Sequence, residues 1–179
     1  GISIAGTAHT ALVANNSISG IYDGTNKVAP AYIPSGILLA AGTSHQVYSN
    51  SISIYGSATG ANSDPGFSAA INLSTIGVTK CKIKNNSFFN TMERTSSDSK
   101  AFAIHMAGAA NWTDAEIDYN NYFVDGDDAV LARVGTTDYT VLSAFQAAAA
   151  TQNLHSISVD PSYNSNANLR PYMGSPLLG

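Results

Sequence analysis

Hydrophobic and polar positions recur along this chain in a six-residue pattern. An aliphatic residue and two variable positions precede Asn, then Ser or Asn, then Ile, Phe or Tyr. Four segments carry it: Val13-Ala14-Asn15-Asn16-Ser17-Ile18, Val47-Tyr48-Ser49-Asn50-Ser51-Ile52, Ile83-Lys84-Asn85-Asn86-Ser87-Phe88 and Ile117-Asp118-Tyr119-Asn120-Asn121-Tyr122. The steps from Asn16 to Asn50, to Asn86 and to Asn120 are 34, 36 and 34 residues. A degenerate fifth copy, Ile157-Ser158-Val159-Asp160, follows after 40 residues, with Asp in the Asn position. Before each motif lies a β-rich run (Ile2-Ser3-Ile4, Ile37-Leu38-Leu39, Ala70 to Leu73, Phe102 to Met106), and after each comes another, such as Ile18 to Tyr22 or Ser51 to Tyr55. Three short strands per repeat of this length describe one coil of a solenoid.

The predicted fold is therefore all-β: a right-handed parallel β-helix of about five coils, with one short helix near the C-terminus. Asn takes the left-handed conformation of a sharp bend at little steric cost. Its amide also bonds to its counterparts in neighbouring coils, as in stacked amide ladders. Asn16, Asn50, Asn86, Asn120 and Asp160 are the expected ladder. Val13, Val47, Ile83, Ile117 and Ile157 point inward on one side of it, and Ile18, Ile52, Phe88 and Tyr122 on the other. A leucine-rich repeat has a shorter, Leu-dense period, and an α/β fold would alternate helical periods with the strands. The one convincing helix spans Thr140 to Thr151, Ala-rich with Leu142 and Phe145 three apart.

Composition fits this picture. The 179 residues suit one domain, read here as residues 1–179 and as the C-terminal portion of a longer protein, because the chain starts inside the strand-like Gly1-Ile2-Ser3-Ile4. Only 11% of residues are charged, which resembles a secreted β-rich solenoid more than a cytosolic helical enzyme. A net charge of −4 provides no basic stripe for nucleic acid. No run approaches the ~18 apolar residues of a membrane span. Cys81 sits in the alternating run Lys80-Cys81-Lys82-Ile83-Lys84, where it is expected as a small buried hydrophobe.

The Asn-centred coils resemble the right-handed β-helix proteins of the pectate-lyase-like superfamily. The last quarter resembles the closing region of secreted or surface β-helix proteins of bacteria. There a short helix with an aromatic, here Leu142-Ser143-Ala144-Phe145-Gln146-Ala147, leads into a Ser-(Ile/Val)-x-x-Asp-Pro turn, here Ser156 to Pro161. A Leu-Arg-Pro…Gly-Ser-Pro ending follows at Leu169 to Pro176. The resemblance implies an extracellular or cell-surface location and a link to polysaccharide. It marks architecture rather than activity. Pro161, Pro171 and Pro176 would stop ladder bonding, and the helix would cover the last coil.

Candidate chemistry is sparse. Asp125, Asp127 and Asp128 in Asp125-Gly126-Asp127-Asp128 resemble the paired carboxylates of the polygalacturonase branch, which act as acid and base on a glycosidic bond. That branch's Asn-Thr-Asp, Gly-His-Gly and Arg-x-Lys motifs do not occur in this chain. The competing role is a solvated turn opening a hairpin through Ala129 to Arg133. Alignment on the Asn positions sets Lys82 against Glu116 and Lys84 against Asp118, as ordinary cross-strand pairs rather than a lyase base beside Ca²⁺ ligands. His9, His45, His105 and His155 lack metal-ligand spacing, so surface or capping roles are expected. Trp112 is expected to cover a loop rather than stack on a sugar. No cofactor is expected, and Ca²⁺ is the one weak candidate ion. The long loops 23–35, 56–66, 91–99 and from 125 onward follow the same strand of each coil. They carry Tyr32, Asp64, Glu93, Arg94 and the Asp125 cluster, a mixture suited to polar recognition of sugars. The expectation is a non-catalytic surface module with polysaccharide as its candidate partner. A polysaccharide lyase or glycoside hydrolase and an inert stalk are the alternatives.

Overall fold

The computed structural model describes all residues except 8, 22–28, 30, 59–65, 95, 97, 150 and 179. Its strands stack into a parallel β-helix with three sheets. Sheet A contains β1 (Ile2–Ile4), β4 (Ser35–Leu39), β7 (Phe67–Leu73), β10 (Lys100–Met106) and β13 (Ala129–Val134), closed by antiparallel β14 (Thr137–Tyr139). Sheet B contains β2 (Leu12–Ala14), β5 (Gln46–Tyr48), β8 (Lys82–Lys84) and β11 (Glu116–Asp118). Sheet C contains β3 (Ser17–Ile21), β6 (Ser51–Ala58), β9 (Ser87–Arg94) and β12 (Asn121–Val124). One α-helix, α1 (Leu142–Ala148), follows.

Each coil contributes like residues at like positions, so the registers make columns. Val13, Val47, Ile83 and Ile117 pair in sequence across sheet B, and Ile18, Ile52, Phe88 and Tyr122 across sheet C. All are buried except Ile18, which is half-buried. The Phe88 and Tyr122 rings stack at 5.7 Å. Burying each such side chain contributes roughly 1.5–3 kcal/mol, and no coil buries them alone. Gly36, within β4, packs directly against the core: a Cβ there would lie 2.3 Å from the Ile52 side chain.

The asparagine row is present, buried at Asn50, Asn86 and Asn120 and half-buried at Asn16. Asn16, Asn50 and Asn86 each donate a backbone N–H (3.0–3.1 Å) and side-chain Nδ2–H (2.9 Å) to Oδ1 of the next Asn. Nδ2 of Asn50, Asn86 and Asn120 also reaches back to the carbonyls of Val13, Val47 and Ile83 (2.8–3.0 Å). Satisfying both donors and the acceptor is what allows an amide to be buried here. The left-handed residue, however, is the one before the ladder Asn: Asn15, Ser49, Asn85 and Tyr119 have φ of 54–59°. The ladder Asn supplies hydrogen bonds, and its exposed neighbour supplies the bend.

Four expectations need correction at the C-terminal end and on sheet A. The three sheets carry about three complete turns, not five, because no strands follow β11 and β12 in sheets B and C. Asp160 is outside the row. The Asn120 N–H donates instead to Ser156 Oγ (3.1 Å), and Asp160 accepts from Ser162 N–H. Ile157 consequently bridges to Asn121 and is 40% exposed rather than inward. Ala129 to Arg133 does not open the expected hairpin. It pairs in parallel with β10, and the hairpin lies one strand later, between β13 and β14.

Side chains finish the stack where strands end. Gln152 Oε1 accepts the Ile117 N–H (2.7 Å), while Gln152 Nε2 donates to the Ala115 carbonyl (2.8 Å). One side-chain amide thus copies the two bonds of an absent strand. Helix α1 inserts Phe145, fully buried against Trp112, Tyr122 and Tyr139 at 5.4–5.8 Å. Trp112 accordingly packs beneath the helix. Residues after Val159 run back along the outside of sheet C, where Tyr163 meets Phe89 and the Ala167 carbonyl reaches Ser19. Among the described residues, no helix is long and apolar enough to cross a membrane.

Candidate functional site

The acidic turn follows β12 and leads into β13. Asp125 and Asp127 are exposed, while Asp128 is buried. Asp128 Oδ2 accepts the Arg94 N–H at 2.7 Å, and Asp125 Oδ1 accepts the N–H of Gly126. Burial raises the Asp128 carboxyl above its ordinary range. The Arg94 N–H opposes this, and Glu93 and Asp127 add to the rise. The structure thus gives two of the three predicted carboxylates local roles in the turn. Among the described residues, no group of three or more His, Cys, Asp or Glu side chains could hold a metal ion. Much of the loop face, including Asp64, lies outside the described residues. Tyr32 is exposed, whereas Glu93 and Arg94 belong to β9.

The charged pairs fall in the predicted register, Lys82 beside Glu116 and Lys84 beside Asp118. The bonds are redistributed: Lys82 and Lys84 both reach Glu116, at 2.7 and 2.6 Å, and hold its carboxyl down at about 2. Asp118 turns to His155 instead. It accepts both the His155 backbone N–H and ring Nδ1–H at 2.7 Å, and these bonds outweigh the effect of burial and keep its carboxyl below the ordinary range.

Two histidines expected near the surface are buried. His45 accepts the Ala11 N–H at Nδ1 (3.1 Å) and donates from Nε2 to the Ala41 carbonyl (2.8 Å), stitching two coils together. His105 lies on the outer side of sheet A between Asn72, whose Oδ1 is 3.0 Å from Nδ1, and Arg133. Burial, reinforced by Arg133, pushes its pKa down to about 4. Arg133 stacks over Phe67 and pairs with Asp138, which Lys100 also contacts. His9 and His155 are exposed. The Cys81 thiol is buried and pushed up to about 11, as a packing group would be.

The outer faces of the three sheets differ. In sheet A, β7 and β10 are buried on both sides along nearly their whole length. Sheet C is crossed by the returning tail, whose Tyr163 packs on Phe89 and whose Ala167 carbonyl accepts from Ser19. Sheet B presents its outer side chains to solvent, from Leu12 through Lys82 to Glu116. At its corner with sheet C stands the exposed left-handed column Asn15, Ser49, Asn85 and Tyr119. His155 extends this column, its ring stacked on Tyr119 at 4.6 Å and 4°. A groove of about 440 Å³ runs beside the column across successive coils. Its floor includes Ser51, Ser87 and Asn121, and Pro171 and Leu177 of the tail form its far wall. Sequence reasoning missed this site because the wall is distant in sequence and the corner residues differ in type. The 34-residue recurrence of an exposed residue before each ladder Asn was its one available signal.

Comparisons with protein-family models, curated proteins and solved structures give no match to this chain.

Proposed function

We propose that this protein is a non-catalytic β-helix module of an extracellular or cell-surface protein that binds polysaccharide through the exposed face of sheet B and its corner. The observation that carries this reading is the contrast among the outer faces: those of A and C are covered, whereas B presents Tyr48 in register with the charged Lys84 and Asp118, and its corner presents the uncharged column Asn15, Ser49, Asn85 and Tyr119. Such a surface offers hydrogen bonds and aromatic faces at regular intervals to a repeating, hydroxyl-rich ligand. The low charge content and the resemblance to secreted β-helix proteins support the location. An intact gene product without an export signal would count against that part.

A hydrolase or lyase is the second reading, and Asp128 is the observation in its favour. A carboxyl raised by burial beside the ionisable, exposed Asp127 has the makings of an acid and a base. The test incubates the protein with uronic-acid and neutral polysaccharides, with and without Ca²⁺, and measures both binding and new reducing or unsaturated ends. Binding without new ends is expected. Turnover that disappears in Asp127→Ala/Asp128→Ala would replace the first reading with the second, and neither binding nor turnover would favour an inert stalk.

A further inference from the structure

Resting on that reading, we infer that the groove beside the corner column is the binding site, and that its ligand is a neutral polysaccharide lying along the solenoid axis. Direction comes from the lining: Ser49, Asn85, Tyr119 and His155 occupy the same corner of successive coils. An extended polymer along the axis therefore meets an equivalent position about every 4.8 Å, the strand spacing. A polymer lying across the axis would meet only one.

Chemical class comes from the polar groups and from the charges around them. The side-chain polar atoms of Ser49, Asn85 and Tyr119 make no hydrogen bond to any described residue, so they remain available to hydroxyl groups. The ladder amides behind them are fully engaged with each other. Tyr119 is 53% exposed and is held by its stack on His155, a pre-positioned ring for the apolar face of a sugar. Among the described residues, no Lys, Arg, Asp or Glu lines the groove. Nearby, Lys82 and Lys84 both pair with Glu116 while Asp118 bonds to His155, so the two lysines and two carboxylates of this patch sum to zero formal charge. A uronate polymer would find no net positive charge there to balance its carboxylates, whereas a neutral glycan leaves no charge unmatched.

Tyr119→Asn is the diagnostic variant, because Asn already occupies the same left-handed corner position at Asn15 and Asn85. Binding is measured by calorimetry against soluble β-glucan, xylan and mannan, and against polygalacturonate and alginate, with circular dichroism verifying the fold. Expected is a preference for at least one neutral glycan, weakened roughly tenfold by Tyr119→Asn, the loss of one ring contact. Ile76→Asn, at an exposed residue of the turn after β7 and outside the groove, should leave binding unchanged. Preference for the uronates, or neutral-glycan binding indifferent to Tyr119→Asn, would overturn this inference while leaving a polysaccharide-binding module intact. Binding to none of the five would overturn both.

Discussion

At the Asn120 end of the solenoid, Gln152, Ser156 and Phe145 stand where another coil would otherwise continue the stack. At the Asn16 end, Asn16 Oδ1 receives no hydrogen bond from any described residue, and Ile2, Ile4, Ile18 and Ile21 are only half-buried. The interior coils between them have neighbours on both sides. In a solenoid, stability is approximately a sum of such neighbour terms. The comparison teaches that a coil's worth of backbone bonding can be replaced, at one edge, by a few side chains with the right donors and acceptors.

Four predictions break or sharpen this contrast, in descending order of effect. Phe145→Ala removes the plug of the covered end and should cost about 3–5 kcal/mol in urea unfolding. A loss below about 1 kcal/mol would mean that the helix contributes little to closing the core. The second uses pH. His105 is two strands from β14, and its proton affinity is depressed in the folded state, so its contribution is intact above about 6.5 and is lost as pH falls towards about 4. Stability should drop by roughly 3 kcal/mol over that window, with Asn72, Arg133, Asp138 and Phe102 packed around the ring. Hydrogen exchange should show the loss first in β10, β13 and β14, and His105→Asn should flatten the pH slope. Uniform loss along the solenoid would disprove the local origin.

The third compares mid-ladder with the uncovered end. Asn86→Ala strips the Asn50 N–H and Nδ2 of their shared acceptor, at a cost of about 2 kcal/mol. Asn16→Ala strands no donor among the described residues and should cost less than about 1 kcal/mol. Equal shifts in Tm would contradict a continuous ladder. The smallest effect belongs to the exposed pair near the covered end: a double-mutant cycle on Lys82 and Glu116 should give a coupling smaller than either ladder substitution and shrinking with added salt.

The Asn row and both inward columns were readable in the sequence because the same residue types return at nearly the same interval. The finish was not. Ser156 stands 36 residues after Asn120 but is a hydroxyl, so the eye passes to Asp160, which resembles Asn more closely but sits four residues too far. Gln152 replaces a strand through an amide that has no counterpart in the earlier coils. The burial of His45 and His105 depends on coil-to-coil partners, Ala11, Ala41 and Asn72, that spacing alone does not disclose. The groove was hidden for a similar reason: Pro171 and Leu177 form its wall only because the tail folds back over sheet C. The acidic turn was visible as a motif, but its commitment to the Arg94 N–H was not.

The bend residue beside each ladder Asn makes the solenoid a ruler with interchangeable marks. Asn, Ser, Asn and Tyr already occupy it in successive coils, with the hydrogen-bonded residue unchanged next to them. Surface identity and fold identity are thus held by adjacent letters of the sequence. Residues without a branched Cβ can be exchanged at the outer letter while the inner one preserves the spacing. An array of chosen groups, about 4.8 Å apart, could be written onto this edge without redesigning the core beneath it.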